Sequence, residues 1–345
     1  MDRHPHLHRP DDLVVPPPPL DMITTLVFRD NRFNQRNPPP EALAALRQDP
    51  AVILWIDLSA PTDAEIKSVL EDTFAFHPLV IEDCTTDSPL PKLEDYGDYL
   101  YLVMHAVDYS RTDKFSTTEL DLILGKNFLV TLHRQPLRPV DLAIERAVKL
   151  PTVVRGPDRF AHTLLDFMVE AYKPALDELN RDLRDIEVAA LSNAPASELF
   201  PGVVALRKEL SQLRQIVKPQ REVAAQLAGR KWRLIRPVMV PYLRDLSEEL
   251  GRIEQHAVAW ADQLILSFRI YLNKSSHEAN DGIRVLTALT ALTIPPLLVG
   301  GWYGMNFKAM EGVELHARHA YPLAASLTAA CVLAMLAYMR RKKWL

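Results

Sequence analysis

The sequence predicts an α+β/α membrane protein, in which an N-terminal α/β domain is followed by a long helical stalk and two C-terminal transmembrane helices. Three observations carry that reading. Two uncharged apolar runs, Val285 to Phe307 and Ala320 to Met339, close the chain, and each has about the 20 residues that cross a ~30 Å hydrocarbon layer. Leu243, Leu246, Leu250, Ile253, Ala257, Trp260 and Leu264 recur at spacings of 3, 4, 3, 4, 3 and 4, which is a heptad seam on one long helix. Short runs of Val, Ile, Leu and Tyr bounded by turn or charged residues occur before Pro139, and beyond it the strand signal disappears.

The 345 residues hold 40 Lys plus Arg against 44 Asp plus Glu, a net charge of −4. No global basic excess points to nucleic acid, and that class of partner is excluded. Cys84 and Cys331 lie far apart and fit neither a disulfide framework nor a Cys-based zinc site, as expected of a reducing compartment. The N-terminus has no apolar run behind its charges, so no signal peptide is expected.

Taken in order, residues 1–20 carry His4, His6 and His8 and then Pro16 to Pro19, the composition of a flexible tail. Residues 21–138 form the α/β domain. Its expected strands are Ala51 to Asp57, Tyr99 to Val107 and Glu119 to Leu132, with a helix over Pro61 to Phe74. Thr62 with Glu65 three residues later is a capping box for that helix. Residues 139–236 are a helical pair, Ala161 to Leu191 and Ala196 to Ala228. The first is acidic (Asp177, Asp182, Asp185) and the second basic (Arg207, Arg214, Arg221), which suits antiparallel packing with solvated charged faces. Residues 237–307 are the stalk running into the first span, whose membrane part is about 285–305. At 1.5 Å per residue, about 60 helical residues make a rod of roughly 90 Å. Residues 308–319 connect the spans, 320–339 are the second span, and 340–345 are a basic tail.

Orientation follows from the flanking charges. Arg269, Lys274 and Arg284 precede the first span and Arg340, Arg341, Lys342 and Lys343 follow the second, whereas the connector offers only Lys308 and Arg318 beside Glu311 and Glu314. The positive-inside rule places both termini in the cytoplasm and the connector outside. Trp302, Tyr303, Tyr321, Tyr338 and Trp344 stand near the span ends, as interfacial aromatics do.

Along the first span Asn280, Ile283, Thr287, Thr290, Ile294, Leu297 and Gly301 repeat at 3, 4, 3, 4, 3, 4 and mix polar with aliphatic residues. That face suits a path in which Ile283 and Ile294 close by dewetting while Asn280, Thr287 and Thr290 hydrogen-bond a hydrated ion. Neither span holds a carboxylate, which argues for passage of a hydrated ion rather than direct charge coordination. Two spans cannot enclose a pore, so an ion path requires several copies. The span then ends in Tyr303-Gly304-Met305-Asn306-Phe307. Mg²⁺ gives up its octahedral water shell reluctantly, and the Asn306 carboxamide, with carbonyls freed at a helix end by Gly304, offers acceptors to those waters. No Walker-type nucleotide loop is present, so nothing in the sequence supports ATP-driven transport, and no catalytic constellation is expected.

Asn280, Arg284-Val285-Leu286-Thr287, Pro295, Gly301 with Tyr-Gly-Met-Asn-Phe, and Lys342-Lys343-Trp344-Leu345 together resemble the CorA family of divalent-cation transporters. So do Trp55-Ile56-Asp57-Leu58, Leu79 to Asp83 with Pro91-Lys92, and Lys126 to Thr131. The resemblance covers nearly the whole chain. It implies a homopentameric channel in the cell inner membrane. Gly304, Met305 and Asn306 would form the selectivity filter, the first span would line the pore, and Mg²⁺ would be both cargo and regulator, with Co²⁺ or Ni²⁺ as further cargo. It also singles out Asp83 and Asp245, whose counterparts on neighbouring subunits share a regulatory divalent ion. Two departures stand out. Leu297 takes the place of a pore hydroxyl, and the connector reads Met310-Glu311-Gly312-Val313-Glu314-Leu315 with His316 and His319. Those histidines suit a softer ion, so a Zn²⁺ transporter of the same fold is the alternative; a non-conducting membrane-tethered scaffold or sensor is the other.

Overall fold

The computed structural model describes residues 22–30, 32–86, 88, 90–108, 116–149, 156–192, 194–229, 232–303 and 320–342. The expected tail, Gly304-Met305-Asn306, the connector with His316 and His319, and Lys343 to Leu345 lie outside the described residues. The chain divides into two compact units, Met1–Ile186 with Ser197–Leu264, and Glu187–Ala196 with Ile265–Leu345.

In the first unit a seven-stranded sheet has the order β2-β1-β3-β7-β6-β5-β4. Its strands are β1 (Ile23–Arg29), β2 (Arg32–Arg36), β3 (Val52–Ser59), β4 (Lys92–Asp95), β5 (Tyr99–Asp108), β6 (Ser116–Gly125) and β7 (Phe128–His133). Among the described residues β3 and β7 are the pair that runs parallel, with Asp57 opposite Thr131. That central pair is buried on both faces, so its sequences read as continuous apolar runs rather than alternating ones. Leu54, Ile56, Leu58, Val130 and Leu132 face a core closed by Leu43 on α1 (Pro40–Gln48), Ile66 on α2 (Asp63–Ile66), and Val80 and Cys84 on α3 (Pro78–Thr85). By the two-residue period of a strand, Trp55, Asp57, Thr131 and His133 point to the other face. There α5 (Pro157–Glu170) sets Phe160 against Phe28 and Trp55 at ring-centroid distances of 4.8 and 5.4 Å. α4 (Arg138–Lys149) buries Val140, Ala143 and Ala147 on its apolar face.

Several expected elements take a different form. Glu119 to Leu132 is not one strand but the β6–β7 hairpin, broken at Lys126-Asn127. Gly125 permits the break, because a Cβ there would collide with the Phe128 ring. The capping box on α2 is present, with Thr62 N donating to Glu65 Oε2 at 2.8 Å and Glu65 N to Thr62 Oγ1 at 3.4 Å. The helix nevertheless continues as a π-helical segment, Lys67–Thr73, which turns Val69 and Leu70 into the core. The acidic pattern from Ala161 is two helices, α5 and α6 (Tyr172–Leu191), separated at Ala171.

α7 (Ala196–Gly229) runs antiparallel to α6. Gln220 Nε2 donates to Tyr172 Oη at 2.7 Å near one end, and Gly202 faces the Ile186 side chain near the other. Arg221 on α7 pairs with Glu254 at 3.0 Å on α8 (Val240–Tyr303), a helix of 64 residues. The heptad seam on α8 is apolar and packed: Leu243, Leu246, Leu250, Ile253, Ala257 and Leu264 are buried, with Trp260 half-buried.

In the second unit, the C-terminal end of α6 is tied to α8. Lys274 Nζ donates to the Leu191 carbonyl at 2.9 Å and Tyr271 Oη to the Ala194 carbonyl at 3.0 Å, which satisfies carbonyls that a helix end leaves without partners. α8 and α9 (Ala320–Arg341) are both long and apolar enough to cross a membrane.

Candidate functional site

On α8 the predicted pore residues share one exposed face. Ile283, Ile294 and Leu297 are 61%, 47% and 75% exposed, and Asn280, Thr287, Thr290 and Gly301 are exposed beside them. The opposite side of the helix is covered. Ala288 is buried, Ala291, Leu292, Pro295 and Val299 are half-buried, and Pro296, Val299 and Gly300 share a groove with Tyr321, Ala324 and Thr328 of α9. At ~100° per residue the two stripes lie more than about 120° apart around the axis. α9 therefore backs α8 and leaves the Asn280-to-Gly301 face open.

The threonines on that face are already committed as donors. Thr287 Oγ1 donates to the Ile283 carbonyl at 2.8 Å and Thr290 Oγ1 to the Leu286 carbonyl at 2.9 Å. Back-bonding fixes each hydroxyl and leaves its lone pairs outward. An outward acceptor is what the water shell of a cation requires. α8 also passes through Pro295-Pro296, and proline lacks the N–H that would bind the carbonyl four residues back, so Ala291 and Leu292 lose that partner. Sequence reasoning used Pro295 alone; the adjacent Pro296 was the available signal for a second freed carbonyl.

Asp83 and Asp245 stand on separate elements, α3 and α8. The Asp83 carboxylate is about a third exposed and accepts from Lys92 Nζ at 2.6 Å, and the same ammonium reaches Glu94 at 3.1 Å. Partial burial disfavours the Lys92 charge, but its hydrogen bonds to the two carboxylates outweigh this and its pKa is raised. Asp245 is exposed, one turn along from Tyr242. The Tyr242 ring carries the Arg159 guanidinium at 4.6 Å and the His162 edge at 5.5 Å. Burial, aided by Arg159, lowers the His162 pKa against the pull of Asp166. Among the described residues no group of three or more His, Cys, Asp or Glu gathers as a metal site within one chain.

Two buried polar groups near this face were not singled out in the sequence. Tyr101 Oη donates to Asp121 at 2.8 Å. Burial, reinforced by the nearby Glu119 charge, pushes Asp121 up to about 8. Burial also raises the Cys84 thiol, next to Asp83 on α3. On the other face of the sheet, Asp57 accepts from Thr131 and lies 3.5 Å from His133. Alternation within β6 was the missing signal, hidden by reading the hairpin as one strand.

A mixed-sheet domain, a long helix and two membrane-length helices, one of which exposes a polar-aliphatic stripe, define the architecture of a two-span membrane protein. Residues 50–341 match the family described as CorA-like Mg²⁺ transporter protein. The chain is 26% identical over 301 residues to the cobalt/magnesium transport protein CorA of Thermotoga maritima, covering 86% of this chain and 85% of that one. Its fold is similar to the complete CorA magnesium transporter from Methanocaldococcus jannaschii, with a TM-score of 0.72 at 20% identity over 85% of this chain and 92% of that one. It is also similar to the full-length CmaX protein, with a TM-score of 0.73 at 18% identity over 94% and 99% of the two chains. The chain belongs to the CorA-like Mg²⁺ transporter family and is a divalent metal-ion transporter.

Proposed function

We propose that the chain acts as a homopentamer in the cell inner membrane, with both termini cytoplasmic, and admits Mg²⁺, with Co²⁺ or Ni²⁺ as further substrates. Residues 21–138 and 139–236 form its cytoplasmic body, 237–307 the stalk and pore helix, 308–319 the external loop, 320–339 the outer helix and 340–345 a basic cytoplasmic tail. The observation that supports this most is the open face of α8, which carries Asn280, Ile283, Thr287, Thr290, Ile294, Leu297 and Gly301 on the side away from α9. An exposed polar-aliphatic stripe on a membrane-length helix is stable only where other copies or water meet it. Membrane potential supplies ~2.3 kcal/mol per charge per 100 mV, about 4.6 kcal/mol for a divalent ion moving inward.

Gly304, Met305 and Asn306 would present acceptors to the hydrated ion at the pore entrance. Asp83 and Asp245 of adjacent subunits would close the channel by sharing a cytoplasmic Mg²⁺, since carboxylates brought together repel unless a cation lies between them. His316 and His319 in the connector favour Zn²⁺ transport as the second reading. The test is metal-specific flux into proteoliposomes. Asn306→Ala should abolish Mg²⁺ uptake while the oligomer survives size-exclusion chromatography; undiminished flux refutes the filter. Zn²⁺ uptake outrunning Mg²⁺ uptake would move the assignment to the second reading.

A further inference from the structure

A cavity of about 500 Å³ opens in the first unit between the β6–β7 turn, the end of α1 and the start of α5. Arg47, Lys126, Arg233 and Arg236 line it, and Asp158 is the one carboxylate among its described lining residues. Asp158 is already matched. It is 5% exposed and takes Arg236 Nε on both oxygens at 3.1 and 2.9 Å, Arg236 Nη2 at 2.5 Å and the Arg236 backbone N–H at 3.1 Å. Gly156 makes room for that fork. Its φ is +142°, and a Cβ there would lie 2.8 Å from both Arg236 Nη2 and Asp158 Oδ1.

Three cations are left over. Arg47 is held rigid, since Nη1 donates to the Thr73 carbonyl at 2.8 Å and its guanidinium lies over the Phe74 ring at 4.9 Å. The Phe128 ring lies 6.0 Å from the same guanidinium, and Arg47 is half-buried in the cavity lining. Lys126 sits in the hairpin turn, and the amide of its neighbour Asn127 pins that turn to the Arg47 and Val52 carbonyls at 2.9 and 3.3 Å. Arg233 is exposed at the rim, where it also borders a smaller cavity with Asp95. The Asp95 carboxylate is turned to the Gly97 N–H at 2.8 Å. Pro50, Ile53 and Leu234 supply apolar walls, which focus the field of the cations into the cavity.

We propose that this cavity binds a soluble phosphate-bearing anion, of di- or triphosphate size, through Arg47, Lys126 and Arg233. Guanidinium and ammonium donors lining one concave apolar-walled space suit phosphate oxygens, which accept several charge-assisted hydrogen bonds at once. The start of α5 adds a favourable dipole, although Asp158 already occupies its first turn. The binding is non-hydrolytic and independent of the transport reading.

The test is isothermal titration calorimetry on the purified full-length chain in detergent, with divalent cations removed. Inorganic triphosphate, ATP, AMP and citrate are the probes. Lys126→Glu with Arg233→Glu alters the two exposed cations and spares Arg47 and Arg236, which hold structure. Triphosphate should bind saturably, and the double variant should weaken it at least about tenfold, as should raising the salt. ATP binding like triphosphate supports a site for the phosphate chain alone; tighter ATP binding supports a site that also takes the nucleoside. AMP should bind at least about tenfold more weakly than ATP. Absence of saturable binding, equal binding by parent and variant, or citrate as tight as triphosphate overturns the proposal. Lys126→Gln with Arg233→Gln, checked by circular dichroism melting, carries the same test should the glutamate pair impair folding.

Discussion

Thr131→Val removes one buried hydroxyl without changing side-chain volume, at the seam of the parallel β3–β7 pair. Thr131 is fully buried; its Oγ1 donates to Asp57 Oδ1 at 2.5 Å and accepts from Trp55 Nε1 at 3.1 Å. Valine fills the same space, so no cavity is created and the loss is polar. A hydrogen bond to a carboxylate contributes about 1–3 kcal/mol, and a Trp55 N–H left buried without a partner costs about 1–3 kcal/mol. His133 still faces the other Asp57 oxygen at 3.5 Å, which limits the sum to about 3 kcal/mol. Urea unfolding of the detergent-solubilised chain, followed by tryptophan fluorescence, should show a lower midpoint at unchanged slope. In a thermal scan the shift should be roughly 6–12 °C. Thr131→Ser keeps the hydroxyl and should recover most of the loss. A Thr131→Val penalty under about 1 kcal/mol would refute the reasoning, because it would mean that neither Asp57 nor Trp55 depends on this hydroxyl.

Replacing Ile283 or Ile294 with serine should hydrate the α8 face and raise leak in proteoliposomes; parental flux in both variants means the pore face is misassigned. Asp83→Asn with Asp245→Asn should stay conductive at millimolar internal Mg²⁺, where the parent closes. The pair should fold, since the Asp83–Lys92 bridge is about a third exposed and such bridges contribute about 0–1 kcal/mol. Inhibition at the parental Mg²⁺ level would remove the feedback site and leave transport standing. Asp121, raised in the folded chain to about 8 from a usual 3.8, stabilises the fold fully below the unfolded value and loses that contribution as pH rises through about 8. Asp121→Asn should therefore match the parent below about pH 4 in chemical denaturation and exceed it by a margin that grows up to about pH 8; a margin that does not grow between about pH 5 and about pH 8 contradicts a raised buried acid.

The membrane half of the fold was legible because its rules are local. A charge-free run has to be about 20 residues long whatever surrounds it, and the α8 seam from Leu243 to Leu264 recurs at a period that only a helix explains. The sheet was less legible. β1 and β2 and the short β4 carry too few alternating residues to stand out, and Phe128 to His133 is buried on every residue, so periodicity could not separate β7 from β6. Only Gly125, with the Lys126-Asn127 turn behind it, marks the reversal. The expected α8 face rests on residues that recur at spacings of 3 and 4 and mix polar with aliphatic side chains, and all of them are exposed. Which side α9 would cover could not be read, since Leu292 and Val299 differ little in character from the exposed Leu289 and Ile294. The Asp83–Lys92 pair was hidden for another reason: the two residues are joined only once β4 lies beside α3.

That pairing bears on the proposed feedback. Asp83 already has a cation opposite it, the Lys92 ammonium at 2.6 Å, which Glu94 also engages. A divalent ion arriving between subunits therefore meets a carboxylate whose charge is partly spent, and gains only the difference between its own attraction and that of the ammonium. Because the site is about a third exposed, both attractions are moderated by solvent, and at 4 Å a unit pair near a protein surface is worth about 4 kcal/mol or less. Doubling the cation charge leaves a gain of the same order, from which dehydration of Mg²⁺ must still be subtracted. The result is weak binding, as a sensor needs if it is to empty and fill across the range in which free Mg²⁺ varies. In the proposed site Lys92 would set the affinity from inside the subunit, while Asp245 across the interface would set whether the bound ion holds two subunits together.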